Sequence, residues 1–339
     1  MVNFVKEPFT KKAKFDWDEF KKVVRIFTRM LDNVVDDNGL PLEQQRYEIT
    51  YKRRHGMGYL GLGSAMTMLG MEYGSPESIE FTEELTKTMA VEGFKVGVEL
   101  AKEKGKAPIF EDDDNLKQWV DSPYMKRIWS VWPEGKELAL QDGCRFTHHT
   151  SIAPTGTISL SINNNVSNGI EPTFSHKYLR NVIQQGKKTK KQVPVYSYEM
   201  LLYKHIYGVD EVPETFSTAD SVTTKQHVDI QAAAQYWVDS SISKTINVPT
   251  DMKFDDFKDV YMYAYERGLK GCTTFRFNPE AFSGVLVNAD DVNNTMYSFT
   301  LKDGSVVEVS GDTTIEYEGE THTASNLYDA IKEGYFGKF

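Results

Sequence analysis

Between Lys244 and Phe275 the chain reads strand, helix, strand, and this order constrains the fold more than any other feature. Lys244 to Val248 is a short strand and Phe254 to Arg267 a helix; Gly268-Leu-Lys-Gly271 then turns directly into a second strand, Cys272 to Phe275. Strands joined through a helix pair in parallel, because a tight hairpin returns the chain in the opposite direction. An earlier buried strand, Thr147 to Ala153, and a helix from Thr224 to Ser240 extend the alternation. The fold class is α/β with parallel pairing.

Upstream, the pattern is mainly helical. Asp16 to Val35 places Trp17, Phe20, Val24, Phe27 and Leu31 at three- and four-residue steps, the signature of an amphipathic helix. Leu42 to Arg54 forms a shorter polar helix, and Gly61 to Leu69 a small-residue helix stopped by Gly70. Ser75-Pro-Glu-Ser opens a helix with Pro76 at its first position, which runs to Lys104 and ends at Gly105. Residues 113–143 hold two short Trp-rich helices, and Lys177 to Arg180, Val193 to Val195 and Thr215 to Thr218 are weaker extended segments. From 288 the character changes. Met296 to Val309 is two alternating runs around Asp303-Gly304, a hairpin signal, followed by a strand at Thr314 to Tyr317 and a helix at Ala324 to Glu333. The expected division is residues 1–287 and a small β-rich appendage at 288–339.

The chemistry concentrates in Thr150-Ser-Ile-Ala-Pro-Thr-Gly-Thr-Ile-Ser159 and Asn168-Gly-Ile-Glu-Pro-Thr-Phe174. A strand ends at Pro154, and small hydroxyl residues follow around one glycine. Thr155, Thr157 and Ser159 supply hydroxyl groups, and Gly156 lets a ligand approach the main chain closely. A helix starting here would present free N–H groups to phosphate. A strand followed by a capped helix, with no ligand at all, satisfies the same pattern.

In order and spacing these residues resemble the large subunit of ribonucleotide reductase. Ile152-Ala-Pro-Thr-Gly-Thr-Ile-Ser159 with Ser167-Asn-Gly-Ile-Glu-Pro172 resembles that family's substrate-phosphate loop and the segment after it. Val238-Asp-Ser-Ser-Ile-Ser-Lys-Thr-Ile-Asn-Val-Pro249 looks like its next barrel strand, and Arg53-Arg-His-Gly-Met-Gly-Tyr-Leu-Gly-Leu-Gly63 like its glycine-rich helix entry. Ala264-Tyr-Glu-Arg-Gly-Leu-Lys-Gly-Cys-Thr-Thr-Phe-Arg276 resembles the last strand of the branch that uses adenosylcobalamin, since no Tyr-Tyr radical relay stands there. The resemblance covers residues 15–287 and implies the C-terminal half of a ten-stranded α/β barrel. It implies a substrate-binding loop of Ala153, Pro154, Thr155, Gly156, Thr157, Ile158 and Ser159, with Asn168, Gly169 and Glu171 in the pocket wall. It also implies reduction of ribonucleotides by thiyl-radical chemistry, with adenosylcobalamin as cofactor and an external dithiol as reductant. The family's Asn-x-Cys-x-Glu pattern is absent and neither cysteine falls at a catalytic position, so no catalytic residue is expected in this chain. The expectation is a fragment that is inactive alone and needs an N-terminal half carrying the catalytic cysteines. A stand-alone nucleotide-binding or regulatory module without catalysis is the alternative.

Other patterns exclude more than they suggest. A net charge of −10 offers no general field for nucleic acid. No apolar run approaches the ~20 residues needed to span a bilayer, and the N-terminus has no signal-peptide core. Two cysteines in 339 residues fit a reducing cytosol, so the expected location is cytoplasmic. Gly56-Met-Gly-Tyr-Leu-Gly61 matches the dinucleotide fingerprint, but the preceding Glu48 to Arg54 reads as a charged helix where the mechanism needs a buried strand. Those glycines are read as close packing of a helix. His148 and His149, adjacent on a strand, face opposite ways and cannot share an ion, and no metal site is expected. Lys187-Lys-Thr-Lys-Lys191 reads as a solvated hairpin tip, and Cys272 as a small apolar strand residue.

Overall fold

The computed structural model describes residues 1–162, 164–183, 190–209, 211–213, 215–276, 286–288, 295–301 and 303–332. The chain forms two compact units, Met1–Phe174 with Val209–Arg276, and Ser175–Gly208 with Phe277–Phe339.

The first unit is mixed α/β. Strand β5 (Thr245–Val248) is followed by helix α11 (Phe254–Glu266) and strand β6 (Thr273–Arg276), and the strands pair in parallel with Thr245 opposite Thr273. The parallel run continues through shorter segments. Ile152 bridges Ile242 and Thr150 bridges Met57, both in parallel. Backbone bonds from Ser243 N to Ile152 O (2.8 Å) and from Met57 N to His149 O (2.7 Å) confirm the register. The segment at residues 147–152 thus lies between 55–58 on one edge and 240–243, which lead into β5, on the other. Among the described residues the run is open at both ends, at 55–58 and at β6.

Helices cover this sheet. Helix α1 (Trp17–Asp36) is capped by Asp16, whose carboxylate accepts from Glu19 N, and it packs on α4 (Pro76–Lys104). Helix α4 begins as its sequence dictates, with Ser75 accepting from Ser78 N and Pro76 at the first position, and it ends at Gly105. Helix α10 (Thr224–Gln235) packs on α4, β5 and α11. It stops before the Ser240 that the pattern suggested, because the chain is drawn into the sheet at Asp239. The Asp239 carboxylate accepts from His149 N and Thr150 N at 2.7 and 3.0 Å, and Asp239 N donates to Thr150 Oγ1 at 2.9 Å.

Residues 113–143 form α5 (Asp113–Val120), α6 (Pro123–Val131) and α7 (Pro133–Asp142), one helix more than expected. Pro133 is the cause: proline suits a first turn and cannot continue the preceding helix. Their tryptophans fill a core with Phe94, Phe110 and Phe146, and Trp119 Nε1 donates to Thr147 O at 3.0 Å.

The second unit is antiparallel. β3 (Lys177–Ile183) pairs with β4 (Lys190–Tyr196) and β7 (Leu286–Asn288). The expected basic tip falls mainly on Lys187 to Thr189, outside the described residues, and Ile183 pairs with Lys190 at its base. β8 (Met296–Thr300) and β9 (Val306–Ser310) form the hairpin expected around Asp303-Gly304, with Gly304 at φ +84. β10 (Thr314–Tyr317) pairs with a strand that the pattern did not suggest, β11 (Glu320–Thr323), ahead of helix α12 (Ala324–Lys332). Of the other weak segments, Thr215 to Thr218 contributes a bridge from Thr218 to Thr173, in the first unit.

One buried carboxylate organises the first unit's helices. Asp32 on α1 is fully buried; its Oδ1 accepts from Arg53 Nη2 at 2.6 Å and Arg145 Nε at 3.1 Å, and its Oδ2 lies 3.3 Å from Lys104 Nζ. These cations sit after α2 (Glu43–Lys52), before the 147–152 segment and at the end of α4. Removing one member of a buried ion pair leaves a desolvated charge, typically costing about 3–5 kcal/mol. Asp32→Asn is expected to lower the unfolding free energy measured in urea by that order, whereas Asp36→Asn, at a side chain 45% exposed, changes it little. Equal effects from the two would contradict this account.

Candidate functional site

The 147–152 segment ends where Pro154 supplies no N–H to continue pairing. Thr155 takes a left-handed conformation, φ +53, and the chain enters helix α8 (Gly156–Ile162). Ala153, Pro154, Gly156, Thr157 and Ile158 are exposed, Thr155 is half-buried and Ser159 is buried. A Cβ added at Gly156 would meet only Asn168 Nδ2, at 3.8 Å, so this side of the loop is open. The first N–H groups of α8 have no partner within the helix. The loop therefore presents main-chain donors and the Thr157 hydroxyl at the carboxyl end of a parallel segment, where open α/β sheets bind ligands.

The expected wall residues hold this loop from beneath. Thr155 Oγ1 accepts from Gly169 N at 2.7 Å, which leaves its own proton available to a ligand. Ser159 turns inward, with its Oγ 2.7 Å from Asn168 Oδ1 and 3.0 Å from Gly156 O. Gly169 has φ +49, and a Cβ there would lie 2.6 Å from Ala153 O, so the wall and the loop touch through glycine backbone. Glu171 N donates to Asn168 O at 2.7 Å, closing a turn.

That turn is mounted on residues whose role the sequence did not reveal. Ser167 and the start of helix α3 (Leu62–Leu69) interlock: Gly61 N donates to Ser167 O at 2.8 Å, Ser64 N to Ser167 Oγ at 3.1 Å and Ser167 N to Ser64 Oγ at 2.9 Å. Tyr73 OH donates to Ile170 O at 2.6 Å. Residues 55–58 are extended, not helical, and a side chain at Gly56 or Gly58 would collide with Ser151; at Gly63 it would lie 2.8 Å from Glu171 O.

Behind the turn lies a buried charge cluster. Lys244 Nζ is enclosed and donates to Glu171 Oε2 at 2.5 Å, to His227 Nδ1 at 2.7 Å and to Thr245 O. The other Glu171 oxygen accepts from Thr245 N at 2.5 Å. His227 Nε2 faces Ala219 O at 3.3 Å and must donate there, which leaves Nδ1 unprotonated to accept from the lysine. Burial lowers the Lys244 pKa and Glu171 opposes the shift. Burial, and then the lysine charge, depresses His227 to about 3.

The remaining candidates are enclosed. His149 is fully buried against Phe94 and Phe146 while His148 is half-buried, and the ring nitrogens of His149 and His55 have no partner among the described residues. Cys144 is buried in the tryptophan core, which raises its thiol to about 12, and burial also raises Cys272, which packs against the cluster that holds Ile246 and Val260. The two thiols lie in separate clusters and neither is poised as a thiolate. Among the described residues no His, Cys, Asp and Glu group has a metal-holding arrangement, and no helix is long and apolar enough to cross a membrane.

Residues 1–275 match the barrel domain of ribonucleotide reductase, so this chain belongs to that family. It is 29% identical over 279 residues to a vitamin B12-dependent ribonucleoside-diphosphate reductase of Thermoplasma acidophilum, covering 78% of this chain and 33% of that protein. The same named enzyme of Mycobacterium tuberculosis is 27% identical over 283 residues, covering 78% and 37%. A vitamin B12-dependent ribonucleotide reductase of Streptomyces coelicolor is 23% identical over 358 residues, covering 94% of this chain, more than residues 1–287 alone could give, and 37% of that protein. The likeness is thus not confined to residues 15–287. The chain spans about a third of the length of these relatives.

The buried imidazoles carry a pH dependence. His55 titrates at about 4 and His227 at about 3, both lowered chiefly by burial, against ~6.5 when unfolded. Below ~6.5 the unfolded chain binds protons that the folded chain refuses, so this stability is present above ~6.5 and lost as the pH falls through about 4. Urea midpoints are expected to drop between neutral pH and pH ~5, and His55→Phe, which keeps the ring, should flatten the drop. A decline unaltered by that variant would show that His55 is not its source.

Proposed function

We propose that this chain is the C-terminal part of a ribonucleotide reductase catalytic subunit, and that its own task is to hold the substrate phosphates on residues 153–159. The observation that carries the reading is the exposed loop at the end of a parallel segment, with free main-chain donors and two threonine hydroxyls, in a chain of this family. Donors aimed at an anionic oxygen make charge-assisted bonds roughly twice as strong as neutral ones. A phosphate fixed there orients the ribose toward the reacting group, and orientation is itself a large part of catalysis.

In this reading the open parallel run belongs to a ten-stranded α/β barrel, whose other strands come from an N-terminal half. Replacing the ribose 2′-hydroxyl by hydrogen releases water and consumes two electrons and two protons, supplied by a dithiol that becomes a disulfide. Cys144 and Cys272 cannot form that pair from their separate clusters, so the radical and reducing cysteines are assigned to the partner half. The relatives are named vitamin B12-dependent, and adenosylcobalamin, when bound, would supply the radical. The buried histidines are enclosed, and β6 offers Thr273, Thr274, Phe275 and Arg276, so neither is given a role in holding it. In this reading the cofactor is bound with the partner half, and the setting is the cytoplasm.

The test mixes this chain with an N-terminal half carrying Asn-x-Cys-x-Glu, a ribonucleoside di- or triphosphate, adenosylcobalamin and dithiothreitol. Deoxyribonucleotide is expected from the mixture and from neither half alone, and Thr155→Val with Thr157→Val should raise KM by about tenfold or more. Product from this chain alone would refute the division of labour. A stable complex without product would favour a binding or regulatory role.

A further inference from the structure

A buried lysine in a strand demands an explanation, because an enclosed ammonium is retained only where each of its protons finds an acceptor. Lys244 meets that demand through the Glu171 carboxylate, the His227 lone pair and the Thr245 carbonyl. Its partners lie on separate elements: His227 on α10, Thr245 at the start of β5, and Glu171 on the turn that carries Asn168 and Gly169. Glu171 is the one member that reaches toward the loop, with its side chain 22% exposed.

We infer that Lys244 is a positioning residue for the 153–159 loop, acting through Glu171. The path is continuous. The ammonium and Thr245 N grip opposite oxygens of Glu171, which fixes the carboxylate in one orientation relative to the sheet. The fixed Glu171 holds the turn at Asn168, whose side chain meets Ser159, and at Gly169, whose N–H is bound by Thr155. Thr155 is the residue in a left-handed conformation, and such a conformation persists only where its surroundings hold it. Neutral His227 accepts from the lysine and orients its third proton without adding charge. Three stretches far apart in the sequence, at 171, 227 and 244–245, thus set the shape of the surface that faces the ligand.

This inference rests on reading that loop as the phosphate site, and its test separates the two. Amide hydrogen exchange is followed on the full chain in wild type and Lys244→Met, alongside calorimetric titration with adenosine diphosphate. The Gly169 and Glu171 amides are expected to exchange about tenfold or more faster in the variant while α4 amides keep their protection, and affinity is expected to fall by a similar factor. Thr155→Val combined with Lys244→Met should lose less affinity than the product of the single effects, since both act through one loop. Glu171→Gln, which keeps the volume and an acceptor for Thr245 N, reads the same link should Lys244→Met not fold. Unchanged turn exchange and affinity would overturn the inference, as would faster exchange spread evenly over the first unit. Faster turn exchange in a chain whose wild type does not bind the nucleotide would keep the positioning role and reject the phosphate reading.

Discussion

The segment at residues 147–152 has both backbone edges occupied, and the rest of the first unit is arranged around that constraint. One edge meets Met57 and the other Ile242, so the segment cannot slide or tilt without breaking bonds on both sides. Glycines at 56 and 58 allow the first contact, and the Asp239 carboxylate pins two of the segment's own N–H groups beside the second. A loop leaving a segment so held starts from a fixed point. The place where a ligand would meet main-chain donors is therefore defined by ordinary sheet bonding, and only the loop's own shape needs further support.

That support comes from buried charge. Asp32 gathers Arg53, Arg145 and Lys104 at one side of the unit, and Lys244 gathers Glu171, His227 and the β5 backbone at another. Enclosed ion pairs add little net stability, because desolvation offsets much of their attraction. Their effect is to penalise every arrangement that separates the partners. The first cluster fixes how helices meet the sheet, and the second fixes how the Asn168–Glu171 turn meets the loop.

Local features were legible where local chemistry decides. Ser75, Pro76 and Gly105 bound α4 by capping and breaking rules, and Asp303-Gly304 announced its hairpin. The order of β5, α11 and β6 required parallel pairing, and the small hydroxyl residues after Pro154 marked the largely exposed turn at 153–158. What escaped was long-range or ambiguous. The Gly56 fingerprint imitated a motif whose physical requirement is different, and its glycines serve backbone approach to Ser151. Lys244 and Glu171 are 73 positions apart, and no periodicity links them. The usable signal was a lone charge within Ile242-Ser-Lys-Thr-Ile-Asn-Val, since an ion on a buried strand requires a counter-ion. Ser159 carried the hydroxyl that a ligand loop needs, yet helical phase turns it inward to Asn168.

In the proposed function, residues 153–159 form an anion site made of main-chain donors and threonine hydroxyls. The most direct measurement is amide chemical-shift mapping of the full chain during titration with pyrophosphate. Saturable shifts are expected, centred on the Gly156, Thr157 and Ile158 amides and lost in the Thr155→Val, Thr157→Val variant. Shifts centred elsewhere, or no saturable change at these amides, would contradict it.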